Sequence, residues 1–423
     1  MIRRDWSPSL PIAVALAIGP AAGVLQSKAL APIAVVALAL CILAHRLRHG
    51  AWPWPRGIPA WLAIGLFAWG AVTALWAPEP WRALGTSLQL GGFVALGAAA
   101  ARAVAEAEEA ERQRLLLVAT GGLAAGIALA GLDAASGNAI RAAVRGLREI
   151  PPQLVFGLKP AASAMALWLP LVAAAPLAWW LRALVLGLGA VVLVLLPGES
   201  AKLALGAGVL AGLGGALMQR RTASLLGAVL AVAIVVMPAV LGPLLARGVP
   251  AAGIPPSAAH RLLIWDFVIH RIAERPILGW GMEASRSIPG HRDHPSPEAL
   301  ARFGLTGPAS APWLATAELL PLHPHNGALQ LRLELGWPGV AIAAVLAALL
   351  ALACRHAVAL AMLAAGAVTA MLSFGAWQEW WVGAELLAVA AAAALPVRPP
   401  RPRAAAAHAA APPAAAPPAP PGH

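Results

Sequence analysis

The chain has 423 residues, of which 60% are hydrophobic and only 11% charged, against roughly 25% charged in a soluble domain. So few charges cannot clothe a water-facing surface, and a mean hydropathy of +0.76 puts most of the surface against lipid. The net charge of +12 does not indicate nucleic acid, because the Lys and Arg stand in short clusters between apolar runs, as they do at the ends of membrane spans. The absence of tyrosine excludes tyrosine chemistry.

Arg3-Arg4 precedes the first apolar run, and no small-residue cleavage pattern closes that run at Val24-Leu25-Gln26-Ser27-Lys28; it reads as an uncleaved first span. Apolar segments follow at 9–26, 29–45, 58–76, 83–101, 114–132, 161–178, 181–197, 201–218, 223–245, 323–353, 357–374 and 378–396. All but 323–353, which is longer, fall within the roughly 17–25 residues that a helix needs to cross a bilayer. The expected fold class is an all-α membrane protein of about 12 transmembrane helices. Nine spans fill 1–245, a large periplasmic loop with short helices fills 246–322, three spans fill 323–396, and a disordered Pro/Ala-rich tail fills 397–423. Cys41 and Cys354 lie in or beside spans and read as small hydrophobes. Many of the 17 tryptophans stand at span ends, among them Trp52, Trp54, Trp61, Trp76, Trp81, Trp377, Trp380 and Trp381, where an interfacial belt would put them.

An even number of spans leaves both termini on one side. The connections on that side carry Arg46, Arg48, Arg56, Arg102, Arg112, Arg114, Arg182, Arg220, Arg221 and Arg355, besides Arg3, Arg4 and the tail residues Arg398, Arg401 and Arg403. The shortest opposite connections hold only Lys28, Arg82 and Lys202. The bias predicts an inner-membrane protein with both termini cytoplasmic. One outer connection, 133–160, breaks the trend with Arg141, Arg145, Arg148 and Lys159; these charges have a task of their own, or a short re-entrant or interfacial helix lies there. The long outer loop contains seven arginines and the histidines His260, His270, His291 and His294. Within it, Leu262, Trp265, Ile269 and Ile272 recur at helical spacing between Ser257, a candidate N-cap, and Pro276, a stop.

The strongest local signal is His323-Pro324-His325-Asn326-Gly327, followed by Arg332, Glu334, Gly336 and Gly339, where the loop re-enters the membrane. A histidine at that depth can titrate near neutrality and still meet lipid-borne substrate. Helical spacing puts Arg332 on the face of His325 and Glu334 on the opposite face, bracing a neighbouring helix. The plainer alternative is that His325 caps the helix start or reaches to the interface.

These residues resemble a known signature. His325-Asn326, nine residues and then Gly336-x-x-Gly339 is similar to the motif of the O-antigen ligase and O-antigen polymerase superfamily. Arg261-Leu262-Leu263-Ile264-Trp265 and Arg275-Pro276-Ile277-Leu278-Gly279-Trp280-Gly281 resemble that family's Arg-x-x-x-Trp helix and Pro-[Leu/Ile]-Leu-Gly-x-Gly turn. Glu199-Ser200-Ala201-Lys202 stands where the family often has a Ser-Arg pair. The resemblance implies a GT-C-like, inverting, metal-independent glycosyltransferase without cofactor. Its donor would be a glycan on undecaprenyl diphosphate or a similar polyprenyl diphosphate, its acceptor a hydroxyl of lipid A-core or of a glycan, its setting the periplasmic face among membrane lipids, and its pathway lipopolysaccharide biosynthesis. His325 and Arg261 map to the catalytic histidine and loop arginine. Lys202, Arg141, Arg145, Arg286, Arg332 and Asn326 are the candidates for holding diphosphate or substrate. At Lys202 the chain departs from the family, and lysine lacks the bidentate fork of arginine; Lys202 suffices, or Arg141, Arg145 or Arg148 takes the role, or the position is misaligned. Ligation is preferred to polymerisation because basic outer loops suit a phosphorylated acceptor.

Other readings compete. Asp266 and Glu274 are expected to be ordinary helix-surface partners, and Glu379 and Glu385 structural. His291 and His294 with His323 and His325 offer a zinc spacing, opposed by the many arginines nearby. A flippase or transporter would show related halves and polar residues at mid-span; instead the polar residues gather in the outer loop.

Overall fold

The computed structural model describes residues 7–308 and 310–396. Arg3, Arg4, Arg398, Arg401, Arg403 and the tail expected to be disordered lie outside the described residues. The elements are α1 (Leu10–Leu25), α2 (Leu30–His49), α3 (Ile58–Thr73), α4 (Pro80–Ala105), α5 (Glu109–Ala135), α6 (Ala139–Val144), α7 (Leu158–Trp168), α8 (Trp179–Leu195), α9 (Glu199–Arg247), α10 (Pro256–Glu274), α11 (Pro297–Arg302), α12 (Gly327–Ala353), α13 (Ala357–Leu372) and α14 (Glu379–Ala392). Among the described residues there is no strand. Six helical stretches are long and apolar enough to cross a membrane, and α1, α3, α8 and α13 are shorter apolar helices. The long α9 breaks at Met218, whose φ of −140° and ψ of 63° are not helical, so its two arms correspond to the two apolar segments expected at 201–218 and 223–245. Expected boundaries elsewhere shift by a few residues. Ser257 does not cap α10: the helix starts at Pro256 without a side-chain cap, because proline fits the first helical position unaided. The connection 133–160, for which a short helix is one of two alternatives, contains α6.

Hydrogen bonds between connections sort the bundle into two ends. At one end Arg145 Nη2 donates to the Leu25 carbonyl at 2.9 Å, and Ser200 Oγ donates to Ser373 Oγ at 3.0 Å. At the other, Arg48 pairs with Glu111 at 2.7 Å, Arg102 donates to the Trp54 carbonyl at 3.0 Å, and Gln219 to the Cys354 carbonyl at 2.9 Å. The long loop 248–326 lies at the first end. Small residues set the packing beneath it. Gly208, Gly212 and Gly215 of α9 lie against Ala357, Leu360 and Ala361 of α13, and Gly227 against Ala348 of α12, the close backbone approach that substitutes for a hydrophobic driving force in lipid. At the centre, α7 is buried along most of its length, and Trp168 donates to the Ala384 carbonyl of α14 at 3.0 Å.

The loop carries its own apolar clusters. One joins Ile264, Phe267, Val268 and Ile272 of α10 to Trp280, Ile288, Leu329 and Leu333; another joins Ala259 and Leu263 to Leu300, Phe303 and Leu314. It is fastened to the bundle by a break in α12. Pro338 has no N–H to give the Glu334 carbonyl four residues back, and the Gly281 N–H fills that place at 2.8 Å. In the same exchange the Trp280 N–H takes the Leu333 carbonyl and the Trp337 N–H takes the Ile277 carbonyl, each at 2.8 Å. Gly336 makes the break possible. Its φ of 63° suits glycine, and a Cβ there would sit 2.1 Å from the Ile277 carbonyl oxygen. The Pro-Ile-Leu-Gly-Trp-Gly turn and the Gly-x-x-Gly pair are thus two halves of one joint.

Candidate active site

At the loop end of the bundle a cavity of about 220 Å³ is lined by Lys159, Ser257, His260, Arg261, Ile264, Trp313, His325, Ser373 and Phe374. Ser257, His260, Arg261 and Ile264 follow the helical spacing that puts them on one face of α10, while Ala259, Leu263 and Phe267 bury the rest of the helix. Lys159 enters from the start of α7, and His325 from the segment just before α12.

The two residues singled out as catalytic in the sequence share this cavity, held by neighbouring carbonyls. Arg261 Nη1 donates to the Leu372 carbonyl at 2.9 Å, and His325 Nδ1 donates to the Ser373 carbonyl at 2.5 Å. The turn between α13 and α14 therefore sets both, and Ser200 of α9 steadies it through Ser373 Oγ. A proton on Nδ1 leaves Nε2 of His325 with a free lone pair. Burial pushes the His325 pKa down from 6.5 to about 4, the positive Arg261 acts in the same direction, and the Ser373 hydrogen bond opposes them. His325 is neutral at physiological pH. Its φ of 54° is uncommon for a non-glycine residue, a conformation that persists where surrounding structure enforces it. Behind it His323 lies with ring centroids 4.2 Å apart and accepts the His325 N–H at 3.3 Å.

The other predicted residues are placed elsewhere. Arg141 is wholly buried and bonded to Asp133 at 2.5 Å through Nε and to the Leu154 carbonyl at 2.7 Å, so it closes the connection 133–160. Arg145 holds the Leu25 carbonyl. Lys202 pairs with Glu199 at 2.8 Å and does not line the cavity. Arg332 departs from the His325 face: its guanidinium donates to the Pro276 carbonyl and stacks 4.0 Å from the Trp337 ring centroid. Asn326 caps α12, its side-chain oxygen accepting the Leu329 N–H at 3.0 Å. Arg286 pairs with Glu283 at 2.7 Å and lines a smaller cavity with His323, Gln330 and Gln378. Glu334 does not brace a neighbouring helix as expected: its partners lie in the loop, in α12 itself and in the turn before α14, where Trp377 Nε1 donates to it at 2.6 Å. Asp266 pairs with Arg302, and Glu274 with Arg271 at 2.7 Å. Among the described residues no three His, Cys, Asp or Glu side chains converge as a metal cluster would need.

The cation that does reach the cavity beside Arg261 is Lys159. The signal was the basic outer connection that broke the charge bias, although spacing could not single out its last member. Lys159→Ala is expected to weaken binding of a pyrophosphate probe about tenfold or more, the worth of a charge-assisted contact, whereas Lys202→Ala stays within about twofold. Titration of the two variants with inorganic pyrophosphate checks this, and equal losses would reverse the assignment.

Residues 183–344 match the family described as O-Antigen ligase, a range that includes Arg261, the Pro-Ile-Leu-Gly-Trp-Gly turn, His325 and the α12 break. Over this region the chain is similar to the O-antigen ligase family. Proteins carrying the name "Putative polysaccharide ligase" are similar to it: 33% identity over 140 residues in Rickettsia conorii, covering 30% of this chain and 29% of the relative. In Rickettsia prowazekii the figures are 34% over 134 residues and 30% of each chain. The chain thus matches under a third of these relatives' length. No solved structure matches it. The matched region includes two residues, Arg261 and His325, that line the cavity together.

Proposed function

We propose that the protein transfers a glycan from a polyprenyl diphosphate to an acceptor hydroxyl at the outer face of the inner membrane, most simply as an O-antigen ligase acting on lipid A-core. The observation that carries this reading is the cavity in which Arg261, Lys159 and a neutral His325 face one space. His325 Nε2 takes the proton of the acceptor hydroxyl as its oxygen attacks the anomeric carbon. The bond from that carbon to the diphosphate oxygen breaks on the opposite face, with inversion. Arg261 and Lys159 stand where the negative charge of the leaving diphosphate grows. The sugar arrives already activated, so the residues named suffice for the step.

In this reading α9 crosses twice, giving about twelve crossings, and the arginine-rich end of the bundle faces the cytoplasm. The family description and the relatives' names favour ligation over polymerisation, as do the basic outer loops. A deletion strain separates the two by its lipopolysaccharide banding. Core without long chains is expected; core bearing a single repeat unit would make the protein a polymerase, and unchanged banding would end both readings.

A further inference from the structure

The cavity has two kinds of wall. Lys159, Arg261 and His325 make one part cationic and basic, as a diphosphate and a reacting hydroxyl require. Trp313, His260 and Ser257 make another part aromatic and hydrogen-bonding. Trp313 has no part in any of the hydrophobic clusters and is 46% exposed. Its neighbour Leu314 is 2% exposed and anchored in the loop's own core. The turn Pro312–Thr316 is thus pinned through Leu314, while the indole is left over the cavity, edge-to-face with His260 at 5.4 Å between centroids. His260 Nε2 donates to the Glu318 carbonyl at 2.8 Å, which fixes the ring and leaves Nδ1 able to accept a hydrogen bond.

We infer that Trp313, with His260 and Ser257, is a binding subsite for the sugar ring attached to the donor's diphosphate. A pyranose has an apolar C–H face and a hydroxylated rim. An indole offers a large rigid surface to the face, and the His260 Nδ1 and the Ser257 hydroxyl serve the rim. In the donor the first sugar is bonded directly to the diphosphate, so its platform has to share a cavity with the phosphate-binding cations, as this one does. The inference rests on the proposed donor class and names the side chains that recognise its sugar.

The test uses the full chain in lipid nanodiscs and two probes, a bare polyprenyl diphosphate and the same lipid carrying one N-acetylhexosamine. The wild type is expected to bind the sugar-bearing lipid at least about fivefold more tightly, the scale of one aromatic contact. Trp313→Ala should erase that preference while leaving the affinity for the bare lipid within about twofold, and Trp313→Phe should restore much of it. Arg261→Ala should weaken both lipids alike. If Trp313→Ala leaves the preference intact, or weakens both lipids equally as an interfacial anchor would, the subsite is refuted and the donor reading stands. If neither lipid binds the wild type, the donor reading falls and the subsite with it.

Discussion

Replacing His325 with alanine is expected to lower glycan transfer by about 10²–10⁴-fold, the usual worth of a general base, while donor affinity changes little. Lipid-linked glycan should then accumulate on the outer face of the membrane. The reason is geometric. The Ser373 carbonyl holds the Nδ1 proton, so the imidazole enters the reaction only through Nε2, and alanine keeps the binding cations but removes the acceptor of the proton. Arg261 keeps its own carbonyl at Leu372, which is why the loss should fall on turnover. Acidity gives a second reading of the same residue. With its pKa lowered to about 4 by burial, His325 stays unprotonated through the range in which an ordinary histidine gains its charge. The acid limb of turnover should therefore lie near pH 4 rather than 6.5, with activity lost as pH falls through that limb. A limb at 6.5, or a His325→Ala protein that still turns over, would remove the imidazole from the chemistry. Glycan accumulating on the cytoplasmic face instead would point to flipping.

Glu334→Leu is expected to cost roughly 3 kcal/mol or more of stability, from several buried donors each left short of an acceptor at about 1–3 kcal/mol apiece. Five donors converge on this carboxylate: the Glu283 and Ser285 N–H groups, the Ser285 hydroxyl, the Gln330 amide and the Trp377 indole. They come from the loop, from α12 itself and from the turn before α14, and Gln330 also accepts the Ala376 N–H at 2.9 Å. Since that turn supplies the carbonyls that aim Arg261 and His325, loss of the carboxylate should loosen the site as well as the fold. Thermal unfolding in detergent measures the first effect, and the rate of proteolysis within 248–326 the second. Glu334→Gln, which retains one acceptor oxygen and the side-chain shape, should fall between. A leucine variant with wild-type melting and an uncut loop would show that the convergence carries no weight.

Helices were legible in the sequence because long apolar runs close their backbone hydrogen bonds as helices in lipid. Arg261 and His325 were legible together only because their motifs resemble those of a known family. The cation beside Arg261 was not legible. Arg141, Arg145 and Lys159 look alike in the sequence, and only the fold reveals that Asp133 has claimed the first, a backbone carbonyl the second, and the cavity the third. Arg332 misleads for a related reason. Its position along the helix suggests the His325 face, but a nearby carbonyl and indole capture its long side chain. The two carbonyls that orient the site belong to Leu372 and Ser373, and no side-chain pattern announces a backbone contact across so many residues.

The joint at Gly336 and Pro338 also bears on how such a chain diversifies. Backbone amides of the loop complete the hydrogen bonding of a helix inside the bundle, so neither part is finished without the other. An insertion at Gly304, just beyond α11, leaves that seam and the Trp313 wall of the cavity untouched, whereas an exchange of the whole segment between related chains has to carry the helix start along with it. Variation is thereby steered toward the far rim of the loop, and the cavity that holds Arg261 and His325 is inherited as one piece.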